Sequence, residues 1–186
     1  GGIGRAGATA FAVTGAKVMA VDRDQAKGDG VVAGFEGSGH LGVAADLRDL
    51  STHQRLVDRA RAELGNLYVL ANLAAVLRRR GSVDEVTEDD WDFQHDVNLK
   101  AAFFLAQAVA RRFVEQGTGG KIVNVASMLS YQGGVRVASY TASKSGILGL
   151  TRLLANEWAA RGINVNAIAP GYMATDNTAP LRADPH

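Results

Sequence analysis

Residues 121–127, KIVNVAS, form a short apolar run that ends in a serine, and residues 140–150, YTASKSGILGL, begin a pattern with apolar side chains at helical spacing. The short run is typical of a buried strand, and the longer periodic pattern is typical of an amphipathic helix. The pair therefore predicts a strand at 121–126 and a helix at 140–161, one unit of an α/β fold. Four more strand-like runs occur, at residues 17–21, 41–45, 67–71 and 163–169.

Helical patterns separate these runs, so strands and helices alternate along the chain. The strand runs are apolar at successive positions, as expected for strands that are covered by helices on both faces. The alternation predicts a doubly wound parallel sheet of the Rossmann type, with right-handed crossovers, in a single domain over residues 1–186. The remaining predicted helices span residues 5–14, 51–64 and 88–116, with a less regular one at 25–39.

The composition is that of an ordinary globular protein, with 186 residues of which 47% are hydrophobic and 21% charged. The net charge of +1 excludes nucleic-acid binding through a strongly basic surface. No apolar run reaches the roughly 20 residues that cross a membrane, so no membrane partner is predicted. The chain has no cysteine, and its four histidines lack the spacing of metal ligands, so no metal site is predicted. The cytoplasm is the simplest expected location.

The chain begins with Gly1-Gly2-Ile3-Gly4, and Gly7 completes the pattern GxGxxG from Gly2. Glycines at a helix N-terminus let backbone N–H groups approach a pyrophosphate closely. Asp22 ends the next predicted strand, at about the spacing where an acid binds the adenosine ribose hydroxyls. A carboxylate there repels a 2′-phosphate and favours NAD over NADP, with the adjacent Arg23 partly offsetting that repulsion. Because no methionine opens the chain, we expect a piece of a longer protein.

Ser127, Tyr140 and Lys144 form the strongest candidate for catalysis. Tyr140 and Lys144 share one helix face about one turn apart, and Ser127 follows a strand at the carboxyl edge, where open α/β sheets bind ligands. A phenol with a pKa near 10 is a poor base at neutral pH. An ammonium about 4 Å away favours the phenolate by about 4 kcal/mol at an effective dielectric of 20, roughly the amount that brings the phenol pKa to 7. The three residues therefore predict general acid–base chemistry in a partly desolvated cleft.

With these residues, the chain resembles the short-chain dehydrogenase/reductases along nearly its whole length. The motifs that carry the resemblance occur in the family's order and spacing. They are Gly2-Ile3-Gly4, Asp46, Asn72, Asn98 in Asp-Val-Asn-Leu, Ser127, Tyr140-Thr-Ala-Ser-Lys144 and Pro170-Gly171. Residues 120–140 are similar to members that oxidise deoxy sugar acids in pectin and uronate breakdown. The resemblance implies an NAD-dependent oxidoreductase that transfers a hydride to or from a secondary hydroxyl or keto group, assembled as a homotetramer.

The resemblance also implies a role for each motif residue. Tyr140 is the general acid/base, Ser127 hydrogen-bonds the reacting oxygen, and Lys144 lowers the phenol pKa and holds the nicotinamide ribose. Asn98 supports a proton-relay water. The other implied cofactor contacts are Gly2, Ile3 and Gly4 at the pyrophosphate, Asp22 at the ribose, Asp46 and Leu47 at adenine, Asn72 on the adenosine side, and Pro170, Gly171, Met173 and Thr175 at the nicotinamide end.

The sequence departs from the family's pattern in three places. The first strand and its Thr-Gly are missing before Gly1, and the chain stops at His186 before the substrate-covering helices and the last strand. The usual Asn-Asn-Ala-Gly reads Asn72-Leu73-Ala74-Ala75 here. We therefore expect a chain that is truncated at both ends.

A sugar-acid substrate requires a placed cation, because the composition provides no general positive field. An arginine fork binds a carboxylate through two hydrogen bonds. The candidates are Arg136, between Ser127 and Tyr140, and Arg79, in the run Arg78–Arg80. Two alternatives remain open. One keeps the chemistry with another substrate, such as a sugar alcohol or a 3-oxoacyl thioester; the other is a non-catalytic remnant that binds nucleotide weakly or only assembles with partners.

Overall fold

The computed structural model describes residues 2–175 and 178–183, and it divides into two units. The N-terminal unit runs to Leu67 and includes the segment from Ala174, and the second unit is Tyr68–Met173. The elements of the N-terminal unit are α1 Gly2–Val13, β1 Met19–Asp22, α2 Gln25–Val32, β2 Leu41–Ala44, α3 Ser51–Leu64 and α8 Ala179–Ala183. Those of the second unit are β3 Val69–Asn72, α4 Glu88–His95, α5 Ala101–Gln116, β4 Gly120–Val125, α6 Leu129–Gln132, α7 Ala138–Trp158 and β5 Ile163–Ile168.

In each unit the strands pair in parallel and form one sheet. β1 pairs with β2, and the second unit has the order β3–β4–β5. Parallel sheets with flanking helices confirm the predicted Rossmann-type fold class. Within the described residues, β1 and β3 each pair along one edge only. The single domain over residues 1–186 stays a prediction.

α7 begins at Ala138, two residues before the predicted start, and three other helices also differ from the sequence prediction. α1 begins at Gly2, so the glycine-rich start forms the first helical turn itself. The helix predicted at 25–39 ends at Val32, and it cannot extend to residue 39 because Gly37 and Gly39 adopt left-handed φ values of 89° and 79°. The helix predicted at 88–116 contains a π-helical segment, Asp96–Lys100, between α4 and α5.

Apolar side chains between the helices and the sheet form the core of the second unit. Phe113 of α5 and Ile122 of β4 are fully buried, and Ile147 of α7 is 3% exposed. Gly120 lies directly against the Phe113 ring, and a Cβ atom there would overlap it. Glycine at this position therefore lets α5 pack close to the start of β4. Among the described helices, none has both the length and the apolar composition that spanning a membrane requires.

Candidate active site

The second unit brings Ser127, Tyr140 and Lys144 together, as the sequence predicts. Ser127 follows the end of β4, and α7 carries the other two residues one turn apart. The Ser127 hydroxyl lies near enough to the Tyr140 phenol to lower its pKa by favouring the ionised form. Ser127 is 7% exposed and Lys144 is 2% exposed, and the Lys144 Nζ lies 5.7 Å from the centroid of the Tyr140 ring. A half-buried phenol beside a buried hydroxyl and an ammonium can hold a substrate oxygen and exchange a proton with it.

Burial dominates the protonation of this group. It raises the pKa of Tyr140, and the nearby Ser127 hydroxyl offsets only part of that rise. It also lowers the pKa of Lys144 to about 8. The Lys144 Nζ donates a hydrogen bond to the Val125 carbonyl at 2.6 Å. The sequence expectation of a lowered phenol pKa is therefore not met in this structure, because desolvation of the phenol prevails.

Asn98 connects the loop after β3 to α7. It lies in the π-helical segment and is 2% exposed. Its Nδ2 donates to the Val76 carbonyl at 2.9 Å and to the Ser143 hydroxyl at 3.2 Å, and its Oδ1 accepts from the Val76 N–H at 2.8 Å. The Ser143 hydroxyl in turn donates to the Tyr140 carbonyl at 2.8 Å. Asn98 thus positions the helix turn that carries Tyr140, while its role toward a relay water stays a prediction.

Asn72 belongs to a second buried polar chain. Its Nδ2 donates to the Asn124 Oδ1 at 2.9 Å and to the Ala102 carbonyl at 3.2 Å. The Asn124 Nδ2 donates to the Thr151 hydroxyl at 3.0 Å. This chain links β3, β4 and α7 through the sheet. The Asn72 amide is thus engaged with protein groups, and its contact with the adenosine side stays a prediction.

The predicted nicotinamide-end residues of the second unit follow β5 and lie beside the residue next to Ser127. The Met128 N–H donates to the Pro170 carbonyl at 3.1 Å. A Cβ atom at Gly171 would lie 3.3 Å from the Met128 Sδ, and Met173 is 52% exposed. The structure therefore brings Pro170 and Gly171 to the loop that carries Ser127.

The N-terminal unit contains the residues predicted to contact the pyrophosphate and the adenosine ribose. α1 begins at Gly2, so its first backbone N–H groups are available to an anion. Thr175 lies against Gly2, where an added Cβ atom would come within 2.7 Å of its Cγ2. Asp22 ends β1, and its Oδ1 accepts from the Asp24 N–H at 3.1 Å. Within the described residues its Oδ2 has no partner, which leaves an acceptor for a ribose hydroxyl, so these residues fit the cofactor.

Asp46 and Leu47, the predicted adenine contacts, follow β2 in a tight turn. The Arg48 guanidinium binds the Asp46 carboxylate, with Nη2 to Oδ2 at 2.5 Å, and this pairing holds the pKa of Asp46 below its ordinary value. The Leu47 carbonyl accepts a hydrogen bond from the His53 Nε2 at 2.8 Å. The Asp46 side chain is 36% exposed. Local contacts therefore fix the shape of this turn.

The structure separates the three consecutive arginines. Arg78 and Arg80 form ion pairs with Asp90, and Arg78 also pairs with Asp89. These two side chains therefore bind carboxylates of α4 while they remain 36% and 44% exposed. Arg79 is half-buried, and Arg136 is exposed with a left-handed φ of 66°. Sequence reasoning did not connect the acidic residues with the arginines, although opposite charges in two neighbouring clusters are a signal for such pairing.

Metal ligation finds no support in the part of the chain that the structure describes. No group of three or more His, Asp or Glu side chains converges there. His186 lies outside the described residues.

Comparisons with known proteins agree with this geometry. Residues 1–186 match the family described as short chain dehydrogenase. The 2-dehydro-3-deoxy-D-gluconate 5-dehydrogenase of Dickeya dadantii is 50% identical over 98% of this chain and 72% of that protein. The Escherichia coli protein of that name is 58% identical over 77% of this chain, but the match spans only 56% of the relative's length.

A solved structure extends the comparison to three dimensions. It is a gluconate 5-dehydrogenase from Burkholderia cenocepacia in complex with NADP and tartrate. That structure is 32% identical, covers 99% of this chain and 71% of its own, and superposes with a TM-score of 0.89. The chain belongs to the short-chain dehydrogenase family, whose members are oxidoreductases that act on CH–OH groups with a nicotinamide cofactor.

Proposed function

We propose that this chain belongs to an NAD-dependent dehydrogenase of a deoxy sugar acid, with 2-dehydro-3-deoxy-D-gluconate or 2-deoxy-D-gluconate as substrate. The observation that carries the proposal is the half-buried Tyr140 phenol beside the buried Ser127 hydroxyl and Lys144. The names of the relatives from Dickeya dadantii and Escherichia coli support the substrate class. The same reaction would place the protein in the cytoplasmic breakdown of uronates and pectin.

The proposed mechanism assigns a proton to the phenol. With its pKa raised by burial, Tyr140 is protonated at neutral pH and donates its proton to a substrate carbonyl oxygen during reduction. In the reverse direction its phenolate accepts the hydroxyl proton. The Ser127 hydroxyl holds the same substrate oxygen, and the Lys144 ammonium stabilises the phenolate. A bound nicotinamide supplies or accepts the hydride.

The cofactor preference is proposed from the charge at the end of β1. Asp22 accepts one local hydrogen bond, and its other oxygen is suited to a ribose hydroxyl. A 2′-phosphate at that place meets a carboxylate, so NAD is preferred. The preference is tested by measuring kcat/KM of the full-length protein with NAD and with NADP. Asp22→Ala is expected to reduce the ratio of the two values. Equal kcat/KM values with NAD and NADP in the unmodified protein contradict the proposal. The related structure from Burkholderia cenocepacia contains NADP, so both cofactors have to be tested.

The substrate carboxylate is proposed to bind an arginine near the catalytic pair. Arg136 lies on the segment between Ser127 and Tyr140, and Arg79 lies on the loop after β3. Loss of a charged hydrogen-bonded pair costs about 1.5–3 kcal/mol, or roughly ten- to hundredfold in kcat/KM. The tartrate in the Burkholderia cenocepacia structure shows that a related protein accommodates a carboxylic acid.

Kinetics on a matched substrate pair tests the carboxylate proposal. Arg136→Met and Arg79→Met are compared on 2-deoxy-D-gluconate and on its uncharged sugar-alcohol counterpart. One of the two variants is expected to lose activity on the acid while it retains activity on the alcohol. Parallel loss on both substrates, or loss on neither, places the carboxylate elsewhere. Activity of the unmodified protein on a 3-oxoacyl thioester alone overturns the sugar-acid assignment.

A homotetramer is proposed from the apolar faces of α5 and α7. Phe104 and Val114 of α5 and Leu153 of α7 are 37%, 46% and 50% exposed. Exposed apolar side chains on two long helices favour burial against another subunit. Sedimentation of the full-length protein is expected to show a tetramer at micromolar concentration, and a monomer at that concentration contradicts the proposal.

A further inference from the structure

The acidic start of α4 holds the arginine loop through one buried carboxylate. The Asp90 side chain is 1% exposed, and it accepts from the Arg80 Nε at 2.6 Å and the Arg80 Nη2 at 2.7 Å. Its Oδ2 also accepts from the Thr87 N–H at 3.3 Å, which closes a capping box. Both carboxylate oxygens are thus bound by the fork of Arg80, the geometry that fixes an arginine most firmly.

Two further contacts align the same loop with α4. The Arg78 N–H donates to the Gln94 Oε1 at 3.0 Å, and the Gln94 Nε2 donates to the Asp90 carbonyl at 3.2 Å. Gln94 is 1% exposed. The Arg78 guanidinium lies 4.0 Å from the centroid of the Phe93 ring. Residues 78–80 are therefore attached to α4 by main-chain as well as side-chain contacts.

Arg80 also connects this loop to the segment before α7. Its backbone N–H donates to the Arg136 carbonyl at 3.3 Å. Arg136 has a φ of 66°, and it is the only residue other than glycine with positive φ in the part of the chain that the structure describes. A side chain rarely adopts this conformation unless neighbouring contacts impose it. Val137 follows, and α7 with Tyr140 begins one residue later.

We propose that Arg80 and Asp90 are a positioning pair that imposes the left-handed backbone of Arg136 and so sets the start of the helix that carries Tyr140. The pair acts on the reaction through Arg136 and α7, and its effect on sugar-acid turnover rests on the proposed function. Neither residue touches the reacting atoms.

The rate of tryptic cleavage after Arg136 measures how firmly the Arg80–Asp90 pair holds this segment, and the measurement does not require enzymatic activity. The variants are Arg80→Met, Arg80→Lys, which keeps the charge but loses the fork, and Asp90→Asn. The matched control is Asp89→Asn, because Asp89 is the adjacent residue on α4 and its side chain is 84% exposed. The full-length protein is digested under native conditions, and cleavage of the Arg136–Val137 bond is followed by mass spectrometry, with the melting temperature of each variant measured in parallel.

We expect cleavage after Arg136 to be about tenfold faster in Arg80→Met, since cleavage follows the population of the open segment. Arg80→Lys and Asp90→Asn are expected to give intermediate rates, and Asp89→Asn the unmodified rate. A folded Arg80→Met protein with unchanged cleavage overturns the proposal. If Asp90→Asn does not fold, the cleavage rate of Arg80→Lys tests the proposal instead, because that variant keeps the buried carboxylate and a cation beside it.

Kinetics separates positioning from a merely structural role. In Arg80→Met, kcat is expected to fall about tenfold on both the sugar acid and its neutral alcohol, a modest displacement of Tyr140 being sufficient for such a loss. Arg80→Lys is expected to recover part of kcat, whereas Asp89→Asn leaves it unchanged. Faster cleavage with unchanged kcat overturns the link to Tyr140. If the unmodified protein does not turn over sugar acids, the proposed function fails, and the cleavage rates still decide whether the pair holds Arg136.

Discussion

The candidate catalytic residues of the second unit and the candidate cofactor carboxylates of the N-terminal unit are held by opposite kinds of contact. Lys144 and Asn98 are each 2% exposed, and they bind the backbone of Val125 and Val76, which lie 19 and 22 residues away along the chain. Buried polar groups of this kind depend on distant segments being packed correctly. The catalytic geometry is therefore a product of the whole second unit.

The carboxylates of the N-terminal unit accept hydrogen bonds from the backbone two residues further on. Asp22 binds the Asp24 N–H at 3.1 Å, and Asp46 binds the Arg48 N–H at 3.0 Å. Turns of this type form from local sequence and stay in contact with water. We therefore expect substitutions at the buried candidate catalytic residues to affect folding or chemistry strongly, and substitutions at the N-terminal carboxylates to affect mainly ligand preference.

The largest effect is expected when the phenolic oxygen of Tyr140 is removed. Tyr140→Phe deletes the proposed proton donor but keeps the ring, so activity is expected to fall roughly 10²- to 10⁴-fold, the usual contribution of general acid–base catalysis. The melting temperature should change little. Steady-state kinetics and thermal unfolding measure the two effects. Tyr131→Phe is the matched control, since Tyr131 is 69% exposed. A Tyr140→Phe variant that keeps more than a tenth of the activity contradicts the assignment.

Asn98→Ala tests whether distant packing holds the site. The variant leaves the Val76 N–H and carbonyl and the Ser143 hydroxyl each short of a hydrogen bond, so the free energy of unfolding is expected to fall by roughly 3 kcal/mol. Urea unfolding measures this. Asn166→Ala, at an exposed position on β5, is the control and should change little. A loss below about 1 kcal/mol in Asn98→Ala would show that the loop after β3 is held by other contacts.

Much of the fold was predictable because local patterns determine it. The strand at Leu41–Ala44 and the helix Ser51–Leu64 lie where the apolar periodicity places them. Ser127, Tyr140 and Lys144 were identifiable because strand end and helix face can be derived from spacing. The π-helical segment Asp96–Lys100 was not predictable, because its contacts with residues distant along the chain have no local signal.

The protonation of Tyr140 and Lys144 could not be predicted from the sequence. Spacing alone placed Lys144 near Tyr140 and suggested a lowered phenol pKa. In the structure, burial of the phenol raises the pKa of Tyr140, and the Lys144 ammonium donates a hydrogen bond to the Val125 carbonyl. Both depend on the surrounding packing, which spacing along the chain does not reveal. The pairing of Arg80 with Asp90 was missed as well: the two neighbouring clusters of opposite charge signalled that pairs would form, but which arginine binds which carboxylate depends on packing.

The buried lysine predicts a pH dependence of stability. The pKa of Lys144 is about 8 in the folded chain and 10.5 ordinarily, so between these values the unfolded chain binds more protons. The free energy of unfolding should therefore rise between about pH 8 and 10, by up to ~1.4 kcal/mol per pH unit. Above pH 10 the raised pKa of Tyr140 acts in the opposite direction. Denaturant unfolding at several pH values measures the slope. Lys144→Met should remove it, and an equal slope in that variant contradicts the prediction.

The smallest effect is expected at the turn after β2. Asp46→Asn removes the charge that pairs with Arg48, but the pair is exposed, so the free energy of unfolding should change by less than about 1 kcal/mol. The Arg48 guanidinium holds the pKa of Asp46 low, so this small stabilisation is present above the ordinary carboxyl pKa and is lost as the pH falls. Unfolding at pH 7 and pH 3 measures both. A loss at pH 7 as large as that of Asn98→Ala would mean that this turn, too, depends on distant packing, and the contrast between the two sets of residues would then fail.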